Sequence, residues 1–175
     1  MMSNILKLSS FAICILLAGC QKQIKPAIVP PPAAKVVTEV GLPVIGGVEP
    51  VYFMPMRTPF AARIDTGAEI SSIDVEELTP FERDGEKWVS FVMQHAQNGE
   101  RKVFEKRVVR RVLIRRINKN ERRYVVMMDI KIGNELVNTE FTLADREKFE
   151  FQALIGRNVL NSRFVVDPAI DNTLH

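Results

Sequence analysis

The sequence predicts an all-β domain, and three observations carry that prediction. From Val36 onward, short runs rich in Val, Ile, Phe and Thr alternate with Gly, Pro, Asn and Asp, giving turn signals at intervals of about eight to twelve residues. No run repeats apolar residues every three or four positions for long enough to form an amphipathic crossover helix, which argues against a parallel α/β sheet. The most strand-like runs are joined by short polar turns, "NKNE" at 118–121 and "GN" at 133–134.

The elements follow in order. "KVVTEVGLPVIGGVEPVYFMP", residues 35–55, reads as short strands broken by glycine and proline. "FAARID" (60–65) runs as a strand into an Asp-Thr-Gly turn, and "KWVSFVMQH" (87–95) is a strand closed by the turn "NGE". "VFEKRVVRRVLIRR" (103–116) and "RRYVVMMDIKI" (122–132) are strands on either side of "NKNE". "IGNEL" signals a hairpin into "VNTEFTLADR", and "FQALIG" (151–156) is a further strand. "RNVLNS" makes a short helical turn, and "RFVVDP" closes the chain as a strand stopped by Pro168. The expected architecture is a small barrel of short strands with one short C-terminal helix.

The first twenty residues have a different character. "MMSNILKLSSFAICILLAGC" carries Lys7 and then an apolar run from Leu8 to Leu17. That run is too short to cross a hydrocarbon core of about 30 Å as a helix, but it suits a secretory h-region. Its end, Leu17-Ala18-Gly19-Cys20, resembles the lipobox of bacterial lipoproteins. The resemblance implies a signal peptide over 1–19, acylation of Cys20 and a periplasmic location. Gln21, which is not Asp, points to the outer membrane in preference to the inner one. Cys14 would leave with the signal, so no thiol would remain for a disulfide or a metal. Residues 20–35 follow with Pro26, Pro30, Pro31 and Pro32, four of the ten prolines in the chain. They read as a semi-rigid polyproline tether with a reach of roughly 45 Å. The folded domain is therefore expected over 36–175.

The chemistry concentrates in two segments. "IDTGAEIS", beginning at Ile64, resembles the active-site loop of retropepsin-like aspartic proteases, whose pattern is apolar, Asp, Thr or Ser, Gly, Ala. About ninety residues later, "ALIGRNVL" (153–160) resembles the apolar-apolar-Gly segment that passes beneath that loop and enters a short helix. The chain as a whole resembles a bacterial branch of this superfamily, often labelled ATP-dependent zinc proteases, over about Val40 to Pro168. The resemblance implies a single-lobe, closed acid-protease barrel. Asp65 is its implied catalytic carboxylate. Ile64, Thr66, Gly67 and Ala68 shape the loop, Leu154, Ile155 and Gly156 pack across it, and Arg157 and Asn158 brace the helix start.

Peptide hydrolysis needs an activated water and a proton donor for the leaving nitrogen. Two carboxylates held close together share one proton and so supply a base and an acid. This chain has a single Asp-Thr-Gly, so the second carboxylate is expected from a C2 homodimer. A monomer recruiting Asp74 or Asp145 is the weaker alternative, because nothing in the spacing places them beside Asp65. The plain alternative for Asp65 is an Asx-type turn without catalysis. Ser71 and Ser72 read as loop hydrogen-bonders, since no histidine is placed to activate them.

Other chemistries find little support. His95 and His175 are the only histidines, there is no H-E-x-x-H, and no phosphate-binding G-x-x-x-x-G-K-[ST] occurs. The expectation is no metal and no cofactor. The glycine-rich flap of retroviral members has no counterpart, unless the "QHAQNGER" loop (94–101) takes its place. Between Arg101 and Arg123 the chain carries +9, against +3 for the whole, which leaves −6 for the rest. Such asymmetry fits an anionic envelope component or an acidic peptide better than nucleic acid, because few aromatics are interleaved for base stacking. It fits equally a set of solvated strand faces paired with the acidic remainder. The reading that emerges is a membrane-tethered aspartic endopeptidase acting on peptides as a homodimer. The alternative is a non-catalytic envelope-binding module that uses residues 101–123.

Overall fold

The computed structural model describes residues 41–115 and 120–174. The segments expected to form a leader (1–19), an acylation site (Cys20) and a tether (20–35), together with Arg116 and Lys119 of the basic run, lie outside the described residues. What is described is built from strands and one short helix, as the sequence predicts.

The strands are β1 (Val44–Ile45), β2 (Val48–Phe53), β3 (Phe60–Ile64), β4 (Ser71–Asp74), β5 (Glu76–Arg83), β6 (Glu86–Gln94), β7 (Arg101–Arg115), β8 (Asn120–Ile132), β9 (Glu135–Ala144), β10 (Ala153–Ile155) and β11 (Val165–Val166). The helix α1 spans Arg157–Leu160. Alternating burial explains the strands nearest the site. In β3, Phe60, Ala62 and Ile64 are buried while Ala61 and Arg63 are exposed, and β2 buries Glu49, Val51 and Phe53.

The main sheet runs β2-β3-β10-β4-β9-β8-β7-β6-β5, and β2 pairs again with β8. The ladders from β2 through β3, β10, β4, β9 and β8 therefore return to β2. Phe53 packs edge-on against Phe60 and Phe141 within the core, at centroid distances of 5.4 and 5.3 Å. A separate two-stranded sheet pairs β1 with β11 in parallel.

Two strands escape the sequence reading. β4 holds Ser71 and Ser72, which read as loop, but both are buried and the strand lies between β10 and β9. β5 contains Pro80, which demotes a run as a strand candidate. It sits at the end of the strand order and pairs only with β6, where a residue without an amide donor is tolerated. Asn120 and Glu121, expected in the turn at 118–121, belong to the start of β8.

One connection matters for the site. β10 lies between β3 and β4, parallel to the first and antiparallel to the second. Residues 65–70 must therefore cross the exit of β10 to reach β4.

Candidate active site

Asp65 is the first residue after β3, and its backbone amide donates to the Ile155 carbonyl at 2.9 Å. Ile64 stands opposite Ile155 in the ladder, and both are buried. The Asp65 side chain then turns back on its own loop. Its Oδ1 accepts the Gly67 amide at 2.9 Å and the Ala68 amide at 3.2 Å. Its Oδ2 has no hydrogen-bond partner among the described residues. The carboxylate is half-buried, while Thr66 and Gly67 are exposed. The Thr66 hydroxyl also has no partner among the described residues.

The second segment closes on this loop from below. Arg157 donates its backbone amide to the Ala68 carbonyl at 2.9 Å, and its Nη1 reaches the carbonyls of Thr66 (3.1 Å) and Gly67 (2.8 Å). Asn158 donates its amide to the Glu69 carbonyl at 3.1 Å. Gly156 approaches so closely that a Cβ would meet the Ile70 carbonyl carbon at 2.9 Å and the Ala68 carbonyl oxygen at 3.0 Å. Its backbone is extended, so the need for glycine is one of space and not of handedness. Leu154 behaves differently from its neighbours. It pairs with Arg63 and Ser72, so it lies on the sheet face opposite buried Ile155.

Ser71 ties the two segments together. Its hydroxyl accepts the Gly156 amide at 2.9 Å and donates to Asn158 Oδ1 at 2.8 Å, which fills both of its roles and fits the hydrogen-bonding reading. Ser72 differs, since its buried hydroxyl finds no partner among the described residues.

Beside the loop lies an open pocket of about 390 Å³, with Arg63, Asp65 and Thr66 on one side and Gly47, Val166 and Pro168 on the other. Arg63 is exposed and has no acidic partner among the described residues. Because side chains alternate along a strand, Arg63 emerges on the face opposite buried Ile64, the same side as the position of Asp65. Period-two counting back from Asp65 would have found it in the sequence.

The opposite wall is anchored by a buried carboxylate that sequence reasoning passed over. Glu49, fully buried, accepts the Gly46 amide (2.6 Å), the Thr173 amide (3.1 Å) and the Thr173 hydroxyl (2.6 Å) on Oε1, and the Leu174 amide (3.0 Å) on Oε2. Burial pushes this carboxyl up, but the hydrogen bonds outweigh it and hold the group below its ordinary 4.5. The chain end is thereby strapped over Gly46 and Gly47, and the Gly47 carbonyl in turn accepts the Ile64 amide at 2.9 Å. Glycine is required at position 46, where a Cβ would fall 2.2 Å from the Ile170 carbonyl oxygen.

Three other candidates lie elsewhere. Asp74 accepts the Arg146 amide at 2.6 Å at the far end of β4, and Asp145 caps Glu147 beside it, so neither stands next to Asp65. The "QHAQNGER" loop packs at the opposite end of β3 from Asp65. Its Asn98 donates to the Thr58 hydroxyl at 2.7 Å, and its Ala96 amide donates to Gln152 at 2.9 Å, so it does not serve as a flap. His95 braces that loop, donating from Nε2 to the Pro59 carbonyl at 3.1 Å while Nδ1 accepts the Gln97 amide at 3.3 Å.

The family described as RimB-like, retropepsin-like aspartic endopeptidase RimB, matches residues 44–173. Probable alpha-L-glutamate ligases of Shewanella pealeana and Shewanella halifaxensis are each 35% identical over 130 residues, 72% of this chain. The corresponding protein of Desulfotalea psychrophila is 35% identical over 137 residues, 75% of this chain. The match spans only 28% to 29% of the length of these relatives. A crystal structure of a Legionella pneumophila protein of unknown function superposes with a TM-score of 0.65 at 27% identity, covering 75% of this chain and 97% of that one.

Proposed function

The chain belongs to the RimB-like family of retropepsin-like aspartic endopeptidases, and from that premise we propose that it hydrolyses peptide bonds with a water held between two Asp65 carboxylates, one from each subunit of a homodimer. The observation that carries this reading is the state of Asp65. One oxygen is fixed by two loop amides, and the other has no partner among the described residues at a partly exposed position. An ordinary Asx turn needs only the first oxygen. A carboxylate that must also meet water and a second carboxylate needs the other to remain available.

In the reaction, the ionised member of the pair takes a proton from the water, whose oxygen attacks the scissile carbonyl carbon. The protonated member hydrogen-bonds the carbonyl oxygen, and a proton then passes to the leaving nitrogen as the C–N bond breaks. The loop amides fix the position of Oδ1, and Arg157 fixes the backbone that presents them.

An acidic peptide is the favoured substrate class. Relatives named for glutamate ligation match this domain, and the exposed Arg63 lines the pocket beside Asp65. In the same reading, the leader and the proline-rich segment hold the domain on a lipid anchor at Cys20, in the periplasm and on the outer membrane. No metal or cofactor takes part.

The test is hydrolysis of acidic and neutral peptide sets across acid and neutral pH by the wild type and by Asp65→Asn. Asn can keep the Oδ1 contacts, so the fold should persist while turnover falls at least about a hundredfold. Full activity in Asp65→Asn would sink the reading, and so would a species that stays monomeric at high concentration with substrate present. No measurable hydrolysis by either protein would favour a non-catalytic binding module on the same fold.

A further inference from the structure

The basic run does not form one uniform patch, because its charges separate by face. In the β7–β8 ladder, Arg111 pairs with Tyr124, Leu113 with Arg122 and Arg115 with Asn120, so these residues share one face of the ribbon. The opposite face carries Arg110, Val112 and Ile114 against Val125, Arg123 and Glu121. On that second face the charges are matched. Arg110 meets Glu140 at 2.6 Å, and buried Arg123 meets Glu121 at 2.8 Å.

The first face is the reverse. It contains no Asp or Glu. Arg115 and Arg122 are exposed and have no acidic partner among the described residues. Arg111 lies 4.4 Å over the Tyr124 ring and donates to its hydroxyl at 2.7 Å. Between these cations Leu113 is 48% exposed, and Val109, unpaired at the irregularity between Val108 and Arg110, is 42% exposed.

We propose that this face of the β7–β8 ribbon docks on an anionic lipid bilayer. The guanidiniums of Arg115 and Arg122 would take headgroup phosphates while Leu113 and Val109 enter the headgroup–acyl boundary. A bilayer offers negative charge and apolar volume in one plane, and this face presents cations and aliphatic side chains in alternation. Guanidinium suits phosphate because its planar fork makes paired hydrogen bonds. Nucleic acid fits less well, since the one aromatic ring on the face is already covered by Arg111 and the aliphatic side chains would lie against phosphate.

The test uses the full chain and vesicles of phosphatidylcholine with or without phosphatidylglycerol. Arg115→Gln/Arg122→Gln removes two cations that hold nothing else among the described residues, and it should weaken partitioning to phosphatidylglycerol vesicles roughly thirtyfold at low salt. Binding to pure phosphatidylcholine should not change, and high salt should erase the difference. Depth is read with Leu113→Trp in a Trp88→Phe background, where the new indole should blue-shift and be quenched by brominated lipid only when phosphatidylglycerol is present. Undiminished binding of the double variant to phosphatidylglycerol vesicles would overturn the proposal, as would an unquenched indole. A double variant that binds vesicles normally but shows a raised KM for an acidic peptide would assign the face to substrate instead.

Discussion

Asn158 holds Ser71 twice: its side-chain carbonyl accepts the Ser71 amide at 3.0 Å and the Ser71 hydroxyl at 2.8 Å. The amide end of the same side chain donates to the Thr139 hydroxyl at 3.0 Å and the Glu140 carbonyl at 2.8 Å. One side chain therefore joins the helix start, β4 and β9 directly beneath the Asp65 loop. Asn158→Ala should cost about 2–4 kcal/mol, because it strands several polar groups at once. Asn158→Asp should recover only the Ser71 side, since a carboxylate oxygen would face the Glu140 carbonyl. Denaturant midpoints of the three proteins check this, and equal midpoints would show that the network relaxes without it.

Gly156→Ala tests the close passage of β10 under the loop. Its Cβ would meet backbone atoms of Ala68 and Ile70, which cannot swing away as a side-chain end could. The loop must move, at a cost of about 1–3 kcal/mol. Because Asp65 rides on that loop, peptide hydrolysis should fall further than the lost stability explains. A variant with normal turnover and only a lowered midpoint would separate the packing from the chemistry.

Most of this architecture was legible in the sequence because the signals were local. Alternation in "FAARI", turn residues around Gly133 and the two spaced motifs each depend on a few neighbouring side chains. What stayed hidden depends on partners distant in the chain. Ser71 looks like a loop residue until β10 and β9 flank it. Leu154 belongs to the motif segment, yet its alternation with Ile155 sends it to the opposite face. Glu49 has no motif at all, and its partners Thr173 and Leu174 lie at the far end of the chain.

Glu49 gives a pH prediction with a definite sign. Its folded value lies below the ordinary 4.5, so its contribution is fully present above 4.5 and is lost as pH falls through the folded value. Wild-type stability should therefore drop on acidification below 4.5 more steeply than that of Glu49→Gln. At neutral pH, Glu49→Gln can keep the bonds to Oε1 but turns an amide donor toward the Leu174 amide, costing about 1–3 kcal/mol. Parallel stability curves for the two proteins across acid pH would rule out Glu49 as the titrating group.

Arg63 gives the most direct test of substrate choice. It precedes Asp65 by two residues, about 7 Å along the chain, and both line the same pocket. An extended substrate has the same repeat. With its scissile carbonyl at Asp65, a nearby side chain would fall at Arg63, and in the proposed homodimer a second Arg63 would stand across the scissile bond. Arg63→Ala should raise KM for peptides carrying Glu beside that bond by about ten- to a hundredfold, the worth of one charge-assisted hydrogen bond. Because this contact forms on binding and not in the transition state alone, kcat should change little. Neutral peptides should be unaffected, and stability should stay within about 0.5 kcal/mol of wild type because Arg63 is exposed. Arg63→Lys should fall between the two, since it keeps the charge but loses the planar fork. An equal loss for acidic and neutral peptides would mean that Arg63 shapes the loop and does not read the substrate.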